Sequence, residues 1–485
     1  MMGGTSQSGT ITSNVIWRFA ERILAQLITF IVSVVLARIL LPDDYGTVAY
    51  VTVFISFLDI LVTNGLPTAL VQKKGADDLD YSSVFYINVV VSIALYIILF
   101  FCARPIANFY KIEELVPVVR VMGIRVIIAS VNSVQHSYVS KNMMFRKYFW
   151  ATLFGTITSG VVGVLMAYRG FGVWAIVSQY LTNSFIDTVF LWFTVGWRPI
   201  KAFSLERVRK LFSFGWKILA EAIAETFSKQ FRNLVIGKAY TSADLAYYNK
   251  AQQIPTLITN NIGVSIVSVL FPAMAEKQEN RADVLGLLRK STRTLAYIVM
   301  PMLVGLSLVA KNIIILLLTE KWIESVPYLQ ICCFSLGINL LVYIKHQALL
   351  AIGRSTTYVF ENMFVRVVTI TLVLLTYRIS VFAIVITEAV CAIVLMLTTM
   401  YTSKKYNQYE YYDQLKDLLP SCFICFGMAI PVVIIGTIQL PLFIMLLMQI
   451  VVGSGVYILI SHLLKLDEYN YCIRTINKVF RKKRI

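Results

Sequence analysis

Charge is what this 485-residue sequence has least of: Asp, Glu, Lys and Arg supply 14% of it, against 58% hydrophobic residues. A water-exposed fold carries about 25% charged residues, so a soluble domain of this composition could not cover its apolar surface. Histidine is scarcer still. Three in the chain cannot build a rich metal site, and seven cysteines do not make a disulfide framework. Cys422 and Cys425 have CxxC spacing but lie in an apolar run with no second pair nearby, and Cys332-Cys333 reads the same way, as buried small hydrophobes. No G-x-x-x-x-G-K-[ST] loop occurs, which excludes ATP hydrolysis by that route. Long hydrophilic stretches are absent too, so no linker can hold an extramembranous domain, and the outer linkers present no set of acids, bases or metal ligands for an enzyme. No catalytic residue, metal or cofactor is expected.

Apolar runs fill the chain instead. A helix crossing about 30 Å of hydrocarbon needs roughly 20 mostly apolar residues. Fourteen such spans are predicted, near 15–40, 47–71, 82–103, 117–140, 149–168, 172–195, 214–238, 249–273, 293–318, 326–350, 357–377, 379–401, 419–438 and 440–464. The polar start MMGGTSQSGTITSN has no Lys or Arg before Arg18, and the run after it is too long for a signal-peptide core, so it reads as an uncleaved first span. An even number of spans puts both termini on one side. That side collects 29 Lys and Arg, including the terminal Arg481-Lys482-Lys483-Arg484 cluster, and the opposite linkers hold nine. Such a bias marks the basic side as cytoplasmic. It also accounts for the net charge of +18 through topology and attraction to anionic phospholipids, without nucleic acid. His136, His346 and His462 fall at cytoplasmic span ends, and the seven tryptophans mostly near span ends, as aromatic belts require.

A repeat emerges at an offset of about 200. LARILLPDDYGTVAY (36–50) aligns with IGKAYTSADLAYYNK (236–250), placing Arg38 over Lys238 and Asp44 over Asp244. Polar stripes at helical spacing agree. The first span carries Arg18, Arg22, Gln26, Thr29 and Ser33; the seventh carries Lys217, Glu221, Glu225, Lys229 and Arg232. The second carries Thr52, Ser56, Asp59 and Thr63, and the eighth has Gln252, Thr256 and Thr259. An offset of six spans, an even number, gives the copies the same orientation, a parallel repeat about an axis along the membrane normal. An ionised residue at mid-bilayer costs about 2.5–3.5 kcal/mol on insertion scales. The charged seventh span must therefore face water or partners. A hydrated cavity lined by the first, second, seventh and eighth spans is expected.

The expected division of the chain is an N-terminal lobe at 1–200, a basic amphipathic linker at 201–213 read as an interfacial helix, a C-terminal lobe at 214–405, two further spans within 406–464 and a basic tail at 465–485. Pro67, Pro255, Pro272, Pro301 and Pro327 are candidate bending points.

The stretch LARILLPDDYG, with Arg38, Pro42, Asp44, Tyr45 and Gly46, resembles a signature of bacterial Wzx-type oligosaccharide flippases of the MOP superfamily. Tyr248–Gln278 and Glu320–Gln330 are similar to its exopolysaccharide (colanic-acid type) branch, which also serves lipopolysaccharide-like surface glycans. The resemblance implies an all-α polytopic fold with two pseudo-symmetric six-helix lobes, V-shaped like the MATE transporters, plus two C-terminal helices. It implies alternating-access export of undecaprenyl-pyrophosphate-linked oligosaccharide across the bacterial inner membrane, with both termini cytoplasmic. A glycan polymerase and a chain-length regulator are implied as partners. Cationic residues in the cavity would hold pyrophosphate and acidic sugars: Arg18, Arg22, Gln26, Lys217, Lys229 and Arg232, with Arg120 and Arg125 nearer the outer mouth. Protons or sodium would couple through Asp59, Glu221, Glu225, Glu361 and Glu388, carboxylates within spans. Two alternatives stay open: a cation-coupled multidrug exporter on the same scaffold, favoured by Glu221 and Glu225, and a membrane glycan polymerase or ligase.

Overall fold

The structure, a computed structural model, describes residues 23–482, and of residues 264–269 and 475–482 it describes the backbone alone. Arg18 and Arg22 lie outside the described residues. Seventeen α-helices and one short 3-10 turn make up the described chain, with no strand among them. They divide into two compact units, one ending at Ala246 and the other beginning at Tyr247.

The first unit holds α1 (Ile23–Ile39), α2 (Pro42–Thr63), α3 (Leu66–Gln72), α4 (Asp78–Tyr110), α5 (Leu115–Lys141), α6 (Phe145–Tyr168), α7 (Val173–Thr194) and α8 (Leu205–Ala239). The predicted second span is broken: Gly65 takes φ +73°, so Pro67 starts α3 instead of bending a longer helix. The amphipathic stretch differs as well. Ser204 caps α8, and Leu205–Ala239 runs as one helix of 35 residues, so the expected interfacial segment forms its first turns. α8 packs against α2, α3 and α4. At the crossing of α3 and α8 a Cβ on Gly215 would stand 2.7 Å from the Gly65 carbonyl oxygen, an approach only glycine permits.

The second unit takes most of α9 (Ser242–Glu276), then α10 (Arg281–Leu308), α11 (Ala310–Leu318), α12 (Ser325–Ala351), α13 (Ser355–Thr376), α14 (Val381–Asn407), α15 (Tyr411–Gly436), α16 (Leu442–Leu463) and α17 (Asp467–Lys482). The predicted ninth span is split into α10 and α11 at Val309. Two split spans and the amphipathic tail helix α17 account for seventeen helices from fourteen spans. Cys425 packs in an apolar core with Tyr297, Met428, Val432 and Tyr457.

Ten of these segments are long and apolar enough to cross a membrane. Completing the fourteen are α1, whose predicted span begins outside the described residues, and α7, α8 and α9, whose polar residues reduce their apolarity. Large apolar side chains stand exposed around both units, Phe193 at 84% and Phe426 at 71% among them. Only a hydrocarbon solvent makes that arrangement favourable. Two tryptophans depart from the belt expectation: Trp197 and Trp322 are buried in the cores. Two cations counted as loop charges are buried too, Lys250 over the Trp322 ring and Lys345 on Gln414 Oε1 at 2.8 Å. One belongs to each side, so the charge bias is preserved.

The repeat is legible in the helix limits. Leu115 to Ser325 and Lys141 to Ala351 are the same shift of 210, and α5 and α12 have equal length. Both end alike: Met143 and Gly353 take φ +52° and +76°, and the next amides, of Met144 and Arg354, return to Val139 O and Leu349 O at 2.9 Å. Earlier in the chain the shift is 200. There Asp44 Oδ2 accepts from Leu41 N at 2.9 Å, and Asp244 Oδ2 accepts from Thr241 N at 3.1 Å, each closing the start of a helix.

Candidate functional site: polar assemblies within the helices

Within the first unit, α2, α3, α5 and α7 enclose a polar cavity of about 600 Å³. Its wall on α5 is one face of that helix, with Arg125, Asn132, His136 and Ser140 recurring at helical spacing. Asn183 and Asp187 supply the α7 wall, Asp59 and Thr63 that of α2. Arg125 stands 3.3 Å from Asp59 Oδ2, so a residue expected to bind anions and one expected to couple ions face each other as a pair. Asp187 Oδ2 accepts from Asn132 Nδ2 at 2.6 Å and lies 3.0 Å from His136 Nε2. Asn132, Asn183 and Asp187 escaped the sequence reading, and His136 was read there only as a residue of a span end. Their signal was there, since they form the same three-and-four stripe that marked the first, second, seventh and eighth spans.

The second unit has a counterpart. His346 Nε2 lies 3.0 Å from Glu361 Oε2, both side chains nearly inaccessible. Each histidine also meets a tyrosine twelve residues on, edge to face with centroids 4.9 Å apart: Tyr148 for His136, Tyr358 for His346. The duplicated histidine–tyrosine contact, with a carboxylate from a different helix beside each ring, replaces the expected interface role of these two histidines with an internal one. Glu388 is held separately, accepting from Tyr248 Oη and Gln252 Nε2, both at 2.9 Å.

α8 carries the charged stripe. Lys217, Glu221, Glu225 and Lys229 recur every four residues and all are exposed, with Lys229 Nζ 2.5 Å from Glu225 Oε1. Arg232 and Gln26 are half-buried. The facing α2 stripe is quieter than expected. Thr52 and Ser56 donate to carbonyls one turn back, and Ser56 Oγ accepts from Gln230 Nε2 of α8 at 3.4 Å. Arg120 is occupied at its own end of α5, its Nε donating to Phe100 O at 3.4 Å with the guanidinium over the Phe100 ring.

The signature residues explain themselves locally. Pro42 opens α2, Tyr45 Oη donates to Ser33 O at 3.4 Å, and Arg38 is exposed at the end of α1. A Cβ on Gly46 would stand 2.0 Å from Ser242 O, so the start of α9 crosses α2 where only glycine fits.

Ion-pair networks close the basic ends. In the first unit the buried Asp80 takes Lys73 at 2.6 Å and Arg207 at 3.2 Å, and Arg207 also meets Asp77 at 2.5 Å. The Arg207 guanidinium, aided by the Asp80 amide, holds the Asp77 carboxyl down at about 2. In the second unit Asp417 takes Arg289 at 2.9 Å and Arg293 at 2.5 Å, and accepts from Tyr409 Oη at 2.7 Å.

Bundles of spanning helices in two related units, each with polar groups inside, define a multi-pass membrane transporter. The fold is similar to that of the lipid II flippase MurJ in an inward closed conformation, with a TM-score of 0.75 at 15% identity over 93% of this chain and 98% of that one. It is also similar to an inward-facing multidrug resistance MATE family transporter of the MOP superfamily, with a TM-score of 0.62 at 14% identity over 79% and 96% of the two chains. The sequence profile described as polysaccharide biosynthesis protein matches residues 35–327, and the chain belongs to that family. Among its relatives are the succinoglycan biosynthesis transport protein ExoT of Rhizobium meliloti, 26% identical over 70% of this chain and 68% of that protein, and the teichuronic acid biosynthesis protein TuaB of Bacillus subtilis, 27% identical over 62% of each. The lipopolysaccharide biosynthesis protein WzxC of Escherichia coli is 23% identical over 62% of this chain and 61% of its own length.

Proposed function

We propose that this protein is an alternating-access flippase, which carries undecaprenyl-pyrophosphate-linked oligosaccharide from the inner to the outer leaflet of the bacterial cytoplasmic membrane for surface polysaccharide synthesis. The observation that carries this reading is α8. A helix of spanning length that exposes Lys217, Glu221, Glu225 and Lys229 on one face needs water or a polar cargo against that face. Family membership supplies the cargo class, since relatives are named for succinoglycan, teichuronic acid and lipopolysaccharide synthesis. Arg18, Arg22, Lys217, Lys229 and Arg232 serve the pyrophosphate, because cationic groups make charge-assisted hydrogen bonds to phosphate oxygens. The basic side is cytoplasmic, with both termini there, and the chain performs no catalysis. Glu221, Glu225 and Glu388 are coupling candidates together with Asp59 and Glu361, which work through Arg125 and His346.

The test is a strain lacking the gene, scored for surface glycan and for the leaflet in which lipid-linked repeat units accumulate. Single units trapped in the inner leaflet with surface glycan lost support flipping. Units that reach the outer leaflet unpolymerised would point to an enzyme. Unchanged glycan with altered drug tolerance would favour a cation-coupled exporter, a reading that the acidic pair Glu221 and Glu225 on α8 keeps open. Complementation by the quadruple variant Arg18→Ala, Arg22→Ala, Lys217→Ala, Lys229→Ala should lower export about tenfold or more, the worth of one or two charge-assisted hydrogen bonds. Full export at normal protein level would remove the pyrophosphate role from these residues.

A further inference from the structure

The cavity in the first unit has a chemistry different from that of a phosphate site. Its fixed charges are two carboxylates, Asp59 and Asp187, against one guanidinium, and that guanidinium is already paired. An anion would meet no surplus of positive charge there. Several of the lining hydroxyls are committed as well. Thr63 donates to Asp59 O at 2.7 Å, Ser137 to Pro67 O at 3.0 Å and Thr188 to Ser184 O at 2.7 Å. A hydroxyl has one hydrogen and two lone pairs, so each of these presents only acceptor capacity to the cavity. Asp59 Oδ1 and Asn132 Oδ1 are buried with no hydrogen-bond partner among the described residues. Leaving a buried acceptor unmet costs about 1–3 kcal/mol. The lining of hydroxyls, amides and paired carboxylates suits a polyhydroxylated ligand, which both donates and accepts, without negative charge.

Size and shape narrow the class. A volume of about 600 Å³ lies within the range of organic-ligand pockets, about 300–1,000 Å³, and far above the needs of one dehydrated ion. Arg125 and Ser140 both line it, and fifteen residues of α5 at 1.5 Å each separate them by roughly 22 Å. A cleft that long suits a short chain. Both carboxylates already have partners, Asp59 in Arg125 and Asp187 in Asn132 and His136, so neither stands as a lone counter-ion for a cationic drug.

We propose that this cleft is a glycan subsite, which binds uncharged, hydroxylated sugar residues of the cargo through acceptor groups on α2, α5 and α7, apart from the cations that serve the pyrophosphate. The inference rests on the flippase reading and adds to it the part of the cargo recognised and the place.

The experiment uses the purified full-length protein in lipid nanodiscs and two probes. One is the repeat-unit oligosaccharide released by mild acid from lipids of the deletion strain and dephosphorylated; the other is inorganic pyrophosphate. Binding is followed by calorimetry, with and without sodium. The dephosphorylated oligosaccharide should bind, and pyrophosphate should not displace it. Ala129→Phe, which fills the cleft while removing no side-chain hydrogen bond, should weaken oligosaccharide binding at least tenfold and leave pyrophosphate binding unchanged. Asn132→Ala should weaken it in the same direction. Oligosaccharide binding that survives Ala129→Phe, or an oligosaccharide that fails to bind while pyrophosphate does, would overturn the subsite. Sodium binding that alone is lost in Asn132→Ala would assign the cleft to an ion instead. Failure here, with lipid-linked units still trapped in the deletion strain, leaves the flippase reading standing; absence of trapped units removes that reading by itself.

Discussion

His346 and Glu361 show how a single pair can hold a spanning helix in place. Both are buried, 3.0 Å apart, and Glu361 is one of two buried residues on α13, whose other faces are largely open. Removing one partner strands the other in an apolar setting, at about 1–3 kcal/mol. Glu361→Leu should therefore lower the unfolding temperature in detergent more than the double variant with His346→Leu does. A coupling of about 0.5–3 kcal/mol between the two positions is expected; strict additivity would show that the pair is not an interaction. Asp77 is the opposite case, half exposed and outside the spans. Its carboxyl titrates near 2 in the folded protein against an ordinary 3.8 because Arg207 favours the ionised form. A depressed folded value means stabilisation that is complete above the ordinary value and fades as pH falls toward the folded one. The stability difference between the wild type and Asp77→Asn should be constant from neutrality to about pH 4 and gone near pH 2. Exposure makes the difference small.

At the scale of elements, the duplicated turns invite a reciprocal pair of substitutions. Met143 and Gly353 do the same job between α5 and α6 and between α12 and α13, each in the left-handed region. A side chain there costs about 1–2 kcal/mol relative to glycine. Met143→Gly should stabilise the first unit by about 1 kcal/mol, and Gly353→Ala should destabilise the second by a similar amount. Equal and opposite shifts in thermal unfolding would check both; a loss from Met143→Gly would mean the methionine side chain packs to more effect than its backbone strain. The α10–α11 break at Val309 was not visible as pattern, because no proline or Asn-Gly pair marks it, whereas Asn64-Gly65 and Pro67 did mark the α2–α3 break, which the sequence reading took as a bend within one span. Conversely the run 201–213 suggested a separate helix, since its charge and amphipathicity differ from those of residues 214–239. Backbone continuity is decided by dihedral angles, and nothing between Ser204 and Ala239 interrupts them.

For the whole molecule, composition alone settled a great deal. A chain with 14% charged residues must find a second apolar solvent, and runs of about 20 apolar residues must cross it as helices because only a helix satisfies its own backbone there. The number of spans, the parallel repeat and the charged face of α8 follow from spacing, because helical geometry is local and periodic. The cleft did not follow. Asp59 and Arg125 are far apart in sequence, and only the packing of α2 on α5 turned an expected ion site and an expected anion site into one neutralised pair. His136 and Asp187 likewise lie on different helices. Sequence periodicity says which residues share a face of one helix; which face meets which is fixed by side-chain packing between helices, and that is where the polar groups acquire their partners.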